Sequence, residues 1–415
     1  MTTRLAYTIL LTMMLVNLLS TAGIALPYPI LAPLFTDTAT SGLTRFADLP
    51  PELLLAGALA IYPLGMLIGS SFIGALSDIY GRKPVLRTTL VLSVIGYLCT
   101  AWAVVSESYL LFILARFATG LCEGNISIAR AIVADLEPQI DKTRAFSWLF
   151  ATSYSGWLIG PLSGGYLMAL GPEVPFIVAA GAMAVALVLV AFVVPLAASP
   201  KMKQRGWLQQ ARQTNSLSLL KYSDVRQCFA MYLCLLLGVN ALYQFTSLWL
   251  VEQYQMSSEA IGETIAVQTL AMTSVSLLLV ERFKRWFGLV ATVITAIGLL
   301  ALVLISAPWF KADSVWPYYA VTGTLIAAYN GLLPVYISDR FAEYGQGRIM
   351  GLIASTFVFA SMSIAALGGI ISLWGAHWSL FSGGILMLLA LAQLIILFYQ
   401  DGQLAKLKTQ QSTSN

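Results

Sequence analysis

The chain has 415 residues, of which 58% are hydrophobic and 10% are charged, and its net charge is +4. An ordinary soluble domain carries roughly 25% charged residues, so this composition excludes that class. The basic residues do not cluster on one face, which argues against binding to nucleic acid. The composition instead predicts an all-α polytopic membrane protein, in which the lipid bilayer sets the length of each helix.

Hydropathy predicts about twelve membrane-spanning helices, six in each half of the chain. They lie near residues 6–34, 53–76, 86–106, 108–134, 145–170, 174–197, 223–251, 260–281, 287–307, 315–338, 348–374 and 377–400. A polar, basic stretch divides them, and the predicted organisation follows from it. It comprises a first bundle over 1–198, a cytoplasmic linker over 199–222, a second bundle over 223–401, and a polar, disordered tail over 402–415.

The distribution of positive charge predicts the orientation of the helices. If the N-terminus is cytoplasmic, 19 of the 23 basic residues lie at cytoplasmic ends of the predicted spans. Only Arg45 and Lys311 lie in outer loops, and Arg116 and Arg130 fall within a span. By the positive-inside rule, both termini are predicted to be cytoplasmic.

A charged hairpin over residues 74–87 separates the second and third spans and reads G-A-L-S-D-I-Y-G-R-K-P-V-L-R. From its charge alone, it could be a basic loop that sets membrane topology. It also resembles the cytoplasmic signature of the major facilitator superfamily, G-x-L-x-D-[RK]-x-G-R-[KR]-x-x-L, and departs from it at Ile79. The resemblance implies two six-helix bundles related by pseudo-two-fold symmetry, which transport by alternating access.

We expect this hairpin to act as a gate that holds the cytoplasmic side closed by ion pairs. The predicted gating residues are Gly74, Asp78, Gly81, Arg82, Lys83, Arg87, Asp135 and Arg144, with Arg348 as a further partner. A common offset of 204 residues supports a duplication of the six-helix unit. The pairs with this offset are Asp135 and Asp339, Arg144 and Arg348, Gly164 and Gly368, and Gly165 and Gly369.

Arg116, Glu123 and Arg130 follow one another at seven-residue spacing in the fourth span. Seven residues turn about 700° in a helix, so these side chains are predicted to share one face. Each would cost roughly 2.5–3.5 kcal/mol at mid-membrane, so we expect them to face a wet cavity. Arg116, Gly120 and Gly124 resemble the R-x-x-x-G-x-x-x-G motif of the superfamily's fourth helix, whose arginine is implicated in proton coupling. Glu123 is the predicted proton carrier, and the alternative is a buried structural ion-pair network.

The fifth span carries Gly156, Gly160, Pro161, Gly164 and Gly165. This pattern resembles the antiporter signature g-x-x-x-G-P-x-x-G-G of the twelve-helix drug:proton antiporter branch, and the resemblance implies efflux. The alternative interpretation is generic close packing of glycine-rich helices.

Polar and aromatic side chains at helical spacing in other spans predict a substrate-binding surface. The candidates are Asn17 and Thr21 in the first span, Asn240, Tyr243 and Gln244 in the seventh, and Tyr329 and Asn330 in the tenth. These side chains could instead join helices or mark the membrane interface.

The sequence contains no phosphate-binding loop, cofactor motif, nucleophile arrangement or metal-ligand spacing, so neither an enzyme nor a cofactor is predicted. We expect a monomeric secondary active transporter of a bacterial inner membrane. It would use protons to drive efflux of small amphipathic or drug-like compounds, with no nucleic-acid partner. One alternative is a proton symporter that imports a small metabolite or an iron-siderophore. An alternative of another class is a non-transporting membrane receptor or scaffold.

Overall fold

The structure is a computed structural model, and it describes residues 3–36, 42–195, 216–310 and 315–413. Most of the predicted linker over 199–222 lies outside these ranges. At two predicted gating positions, Gly74 and Asp78, the structure describes only the helical backbone, so the contacts predicted for them lie outside the described part. The regular secondary structure of the described ranges is helical throughout.

Eight helices make up the N-terminal half, and two of its predicted spans are each divided into two. They are α1 (Thr3–Ala25), α2 (Tyr28–Thr36), α3 (Pro51–Tyr80), α4 (Arg82–Val105), α5 (Tyr109–Cys122), α6 (Asn125–Ala134), α7 (Lys142–Met168) and α8 (Val174–Val193). The α1–α2 and α5–α6 pairs each count as one continuous span by length and hydropathy. The six predicted spans of this half therefore all correspond to helical segments.

The C-terminal half repeats this arrangement. Its helices are α9 (Ser223–Tyr254), α10 (Ser258–Leu278), α11 (Val280–Phe287), α12 (Leu289–Ile305), α13 (Val315–Asn330), α14 (Leu333–Arg340), α15 (Gln346–Ile371) and α16 (Ala376–Thr413). The α13–α14 pair again counts as one span. Helix α16 includes most of the tail that we expected to be disordered. Residues 403–409 are mostly leucine, alanine, lysine and glutamine, which favour helix, and this explains why that expectation was wrong.

Ten spans in the described ranges are long and apolar enough to cross a membrane, and the number rises to eleven if one bent pair is counted. That pair is α11 and α12, which meet at an angle of 115°. The predicted fifth span corresponds to α7, which lies outside this count. Its glycine, serine, threonine and aromatic residues leave it poor in aliphatic side chains, although it packs between α1 and α10.

The two halves meet through equivalent pairs of helices. Helix α3 packs against α15, and α7 packs against α10, while α2 contacts α9 and α10. Close contacts between the halves join Gly165 to the start of α10 and Gly369 to Ala56 near the start of α3. These contacts lie at the end of the molecule opposite the Gly81 turn. This arrangement is the predicted pair of six-helix bundles.

Candidate functional site

Two cavities lie between the halves and share four lining residues, namely Tyr28, Ser153, Trp157 and Phe357. Their volumes are about 220 Å³ and about 280 Å³. Because the two cavities share these residues, we treat them as two parts of one chamber. We call the smaller one the arginine cavity and the larger one the amide cavity. The arginine cavity is also lined by Thr21, Tyr62, Arg116, Arg130, Gln244 and Ser361, and the amide cavity by Phe150, Tyr243, Gln268, Met272 and Asn330.

Arg116 lines the arginine cavity and is only 4% exposed. Its guanidinium carbon lies 4.3 Å from the centre of the Tyr62 ring, within the range of a cation–π interaction. Its Nε and Nη1 atoms are buried and have no hydrogen-bond partner among the described residues. An unpartnered buried guanidinium is costly, because burial removes water without supplying an acceptor.

Glu123 is also buried, but it is not among the residues that line the arginine cavity. The Tyr97 hydroxyl donates to its Oε1 atom at 3.4 Å, while its Oε2 atom has no partner in the described part of the chain. The two salt bridges found among the described residues involve neither Glu123 nor Arg116. The carboxylate is therefore held by tyrosine hydroxyl contact and not by a direct ion pair.

The helix that carries these groups is broken, which the seven-residue spacing did not predict. Helix α5 ends at Cys122 and α6 begins at Asn125. Asn125 is fully buried, and its side chain accepts a hydrogen bond from the Thr89 hydroxyl at 2.6 Å. A Cβ atom on Gly124 would collide with the side chain of Ile73 in α3. Glu123 lies in this break, at the C-cap position of α5.

Arg130 lies beyond this break and lines the same cavity as Arg116. It is half-buried, and its guanidinium carbon lies 5.2 Å from the centre of the Phe150 ring. The structure thus brings the two arginines to one cavity but leaves Glu123 out of its lining.

The predicted substrate-binding residues divide into two groups. Four of them line the chamber, namely Thr21 and Gln244 in the arginine cavity and Tyr243 and Asn330 in the amide cavity. The Gln244 amide donates to the Ser361 hydroxyl at 2.7 Å, which fixes its orientation at the cavity wall.

The other three predicted substrate-binding residues have structural contacts. The Asn17 amide nitrogen lies 3.0 Å from the Leu149 carbonyl oxygen and 2.7 Å from the Ser153 hydroxyl, so it joins α1 to α7. The Asn240 amide donates to the Leu236 carbonyl in its own helix. Tyr329 is buried in the core and does not line either cavity.

The glycine motif of α7 divides its contacts between two neighbouring helices. Gly156, Gly160 and Gly164 face the first span, and a Cβ on Gly160 would lie 2.5 Å from the Ala22 carbonyl oxygen. Gly165 faces the opposite half, against the backbone of Ser258. The Pro161 carbonyl oxygen in turn lies next to Gly262 of α10. The motif therefore holds α7 close to its own bundle and to the other one.

The charged hairpin turns at Gly81, whose φ of 93° lies in a region that favours glycine. Arg82 forms an ion pair with Asp135 at 2.7 Å, and Lys83 donates to the Ala191 carbonyl at 2.8 Å. Arg87 is exposed, and the guanidinium carbon of Arg144 lies 4.7 Å from the centre of the Trp148 ring. These contacts link segments within the N-terminal half, whereas Arg348 donates to the Ser218 hydroxyl in the other half.

Sequence reasoning missed the tyrosines that surround the charged groups. Tyr62 stands among apolar residues in α3, so its spacing gave no signal, whereas Tyr97 continues a buried polar row of α4 with Thr89, Ser93 and Thr100. The spacing of that row, by four, four and three residues, was the available signal for Tyr97. No group of three or more His, Cys, Asp or Glu side chains suited to a metal ion occurs in the part of the chain described.

Comparison with known proteins agrees with this architecture. Residues 13–366 match the sequence model of the Major Facilitator Superfamily. The tetracycline resistance protein, class C, of Escherichia coli is 25% identical over 362 residues, covering 84% of this chain and 87% of the relative. The quinolone resistance protein NorA of Staphylococcus aureus is 24% identical over 338 residues, covering 81% and 82%. The crystal structure of a D-xylose-proton symporter superposes with a TM-score of 0.74 at 18% identity, covering 94% and 97%, and this likeness concerns the fold.

Proposed function

Because this chain belongs to the Major Facilitator Superfamily, we propose that it exports small amphipathic compounds in exchange for protons. As a member of that family it is a multi-pass membrane transporter and not an enzyme. The observation that carries the proposal is the chamber between the halves, to which both bundles contribute side chains. A site at such an interface can be exposed to either side of the membrane as the bundles rock.

Export, as the direction of transport, is supported by the glycine motif of α7 and by the relatives. Two relatives are named for resistance to tetracycline and to quinolones. Removal of a toxic compound from the cell is one way in which a transporter confers resistance. Import of a small metabolite or an iron-siderophore by proton symport is the competing proposal, and a directional assay separates the two.

In this proposal Glu123 carries the proton and Arg116 modulates it. The carboxylate is buried beside the hydroxyl of Tyr97, and the Tyr62 ring stacks against Arg116 nearby. A buried carboxylate without an ion-pair partner is stabilised when it is neutral, so it can gain and lose a proton as the local hydration changes. Arg130 lines the route towards the hairpin end of the chamber.

The gate in this proposal is the hairpin around Gly81. Its ion pair between Arg82 and Asp135 fixes the start of α4 against the end of α6. Closure of that end would bring this rigid corner against the facing half. The charge distribution supports a cytoplasmic location for the hairpin and for both termini. The relative from Escherichia coli supports a bacterial inner membrane as the location. We propose that a single copy of the chain carries out the cycle.

The test uses inverted membrane vesicles with a pH gradient, acid inside, imposed across their membrane. It measures the accumulation of a panel of fluorescent amphipathic dyes in these vesicles. Gradient-dependent accumulation in inverted vesicles indicates export, whereas accumulation only in right-side-out vesicles with the opposite gradient indicates symport. We expect Glu123→Gln to reduce gradient-driven accumulation to the level of empty vesicles, because the amide cannot take up a proton.

The matched control is Glu281→Gln, which makes the same chemical change on an exposed carboxylate outside the chamber. It should accumulate dye as the unchanged protein does. Full gradient-driven accumulation by a correctly inserted Glu123→Gln protein would exclude Glu123 as the proton carrier. Absence of gradient-driven movement of every dye by the unchanged protein would count against proton-coupled export.

A further inference from the structure

We infer that the chamber selects organic anions, specifically compounds with an aromatic or aliphatic body and one carboxylate or similar anionic group. This inference deepens the proposed transport function and depends on it for its physiological meaning. Two arginines line the arginine cavity, and no Asp or Glu lines either cavity among the residues that the structure describes. The fixed charge on the wall of the chamber is therefore positive.

The first argument concerns the unused donors of Arg116. Stacking on Tyr62 satisfies the face of the guanidinium, but its N–H groups point outwards in the plane of the group. Nε and Nη1 are buried without an acceptor among the described residues. A guanidinium pairs with a planar carboxylate through Nε and Nη2 or through Nη1 and Nη2, so a carboxylate bound at either edge would satisfy one of these two donors. A bound anion would thus supply the partner that the described side chains do not.

The second argument concerns repulsion between the arginines. Arg116 and Arg130 line one cavity of about 220 Å³, where charges are screened less than in water. Neither forms a salt bridge with a described residue. Glu123 could offset one positive charge through space, but it lies outside the lining and contacts Tyr97. An anion between the two arginines would lower their mutual repulsion, whereas a cation would increase it.

The third argument concerns the body of the ligand. Tyr28 and Trp157 lie side by side with ring centres 5.7 Å apart, and both line the two cavities. Phe357 adds a third aromatic side chain from the other half. These rings offer apolar contact next to the positive wall, so an aromatic anion can contact both surfaces at once. A small inorganic anion would use only the arginines.

The test measures binding of two probes with the same aromatic body that differ in charge, 2-naphthoxyacetate and 2-naphthoxyacetamide. Purified full-length protein in phosphatidylcholine nanodiscs is titrated with each by isothermal calorimetry, with empty nanodiscs as the blank. We expect the carboxylate to bind about tenfold more tightly, as one charge-assisted hydrogen bond predicts. The amide partitions better into lipid, so non-specific partitioning would oppose this result.

Arg116→Gln should remove the preference for the carboxylate over the amide, while Arg116→Lys should retain part of it. An unfolding temperature close to that of the unchanged protein, measured in the same nanodiscs, shows that the variant is folded. If Arg116→Gln does not fold, Arg130→Gln provides the same test at a half-buried position. The control Arg226→Gln changes an exposed arginine outside the chamber and should keep the full preference.

Equal affinity for the two probes would overturn the inference, and so would an equal loss of preference in Arg226→Gln and Arg116→Gln. This binding test needs no gradient, so it is independent of the transport assay. Tight carboxylate binding without gradient-driven transport would retain the anion site and refute proton-coupled export. Gradient-driven export of both probes, with equal affinity for the two, would support proton-coupled export and refute the anion site.

Discussion

Corresponding helices of the two halves break at similar places but carry different side chains. The α5–α6 break falls at Glu123 and Gly124, and the α13–α14 break falls at Gly331 and Leu332. Around the first break the buried polar groups include an arginine and a glutamate. The buried polar groups of α13 are tyrosines and Thr322. The backbone plan is shared, whereas a buried arginine and a buried glutamate occur at the first break and not in α13.

The glycine pairs of the two halves show the opposite behaviour, because both their sequence and their contacts are repeated. Gly164 packs against Leu26 of the first span, and Gly368 packs against Phe245 of the seventh. Gly165 packs against the start of α10, and Gly369 packs against Ala56 near the start of α3. Packing between the halves is therefore symmetric, whereas the chemistry of the chamber wall is not. We therefore expect the symmetric glycines to hold the two halves together and the asymmetric charged residues to determine what the chamber binds.

The largest expected effect is on the symmetric packing. Gly165→Leu and Gly369→Leu should each abolish transport, because either side chain would force the halves apart at the same end. The gradient-driven accumulation of dye in inverted vesicles measures this loss of transport. The rate at which a membrane-impermeant thiol reagent labels Thr21→Cys, in a cysteine-free background, reports whether that end has opened. Both variants should increase labelling from that side.

The control for this pair is Gly181→Leu, since a Cβ at Gly181 would meet nothing within 4 Å. It should transport and label as the unchanged protein does. If only one of the two glycine variants lost transport, the packing of the halves would not be functionally symmetric.

A smaller effect is expected from the asparagines of the first and seventh spans, both of which are buried. Asn17 bonds across to α7, whereas the bond of the Asn240 side chain found among the described residues lies within its own helix. Interhelical hydrogen bonds in membranes contribute about 0.6 kcal/mol on average and up to about 1.7 kcal/mol. We expect Asn17→Ala to cost about 1–2 kcal/mol and Asn240→Ala less than about 1 kcal/mol.

Thermal unfolding of the two variants in the same detergent measures this difference. A larger drop in unfolding temperature for Asn240→Ala than for Asn17→Ala would contradict the assignment of Asn17 as the residue that joins two helices. Matched expression and insertion of the two variants is the control.

The smallest effects on stability are expected at the charged turns. The Arg82–Asp135 pair has side chains 31% and 58% exposed, and the Arg285–Glu281 pair has side chains 71% and 85% exposed. Exposed pairs contribute about 0–1 kcal/mol, so Arg82→Gln should lower stability slightly and Arg285→Gln hardly at all. Thermal unfolding at low and high salt checks this, since added salt should remove the difference.

Transport separates the two turns more clearly than stability does. If the hairpin is a gate, Arg82→Gln should slow transport although it barely destabilises the protein, and Arg285→Gln should not. Equal transport by the two variants would leave the Arg82–Asp135 pair without a gating role.

Much of the fold was predictable from the sequence, because it follows from apolar length and from repeated residues. The two bundles follow from hydropathy, and the 204-residue offset of Gly164 and Gly165 indicated contacts that the structure shows to be equivalent. The fifth span was also predicted from hydropathy, although its composition is less apolar than that of its neighbours. The helical tail was missed because its polarity outweighed its helix-forming residues.

The site was less predictable, since helical periodicity assumes a continuous helix. The break after Cys122 interrupts the helical face that Arg116, Glu123 and Arg130 were predicted to share, and no local rule required it. The Tyr97 contact joins α4 to this break and depends on how two apolar helices pack. The different positions of Asn17 and Thr21 also depend on packing, since one faces α7 and the other faces the chamber.

The scarcity of aliphatic side chains in α7 has a consequence for biosynthesis. During translation, each segment partitions from the translocon into lipid according to its own hydrophobicity, and serine, glycine and proline weaken that step. Helix α1 is made earlier, and its backbone around Ala22 fits against Gly156 and Gly160. An already inserted α1 can therefore retain α7 as it leaves the translocon. We therefore expect the insertion of α7 to depend on α1, which is made more than a hundred residues earlier.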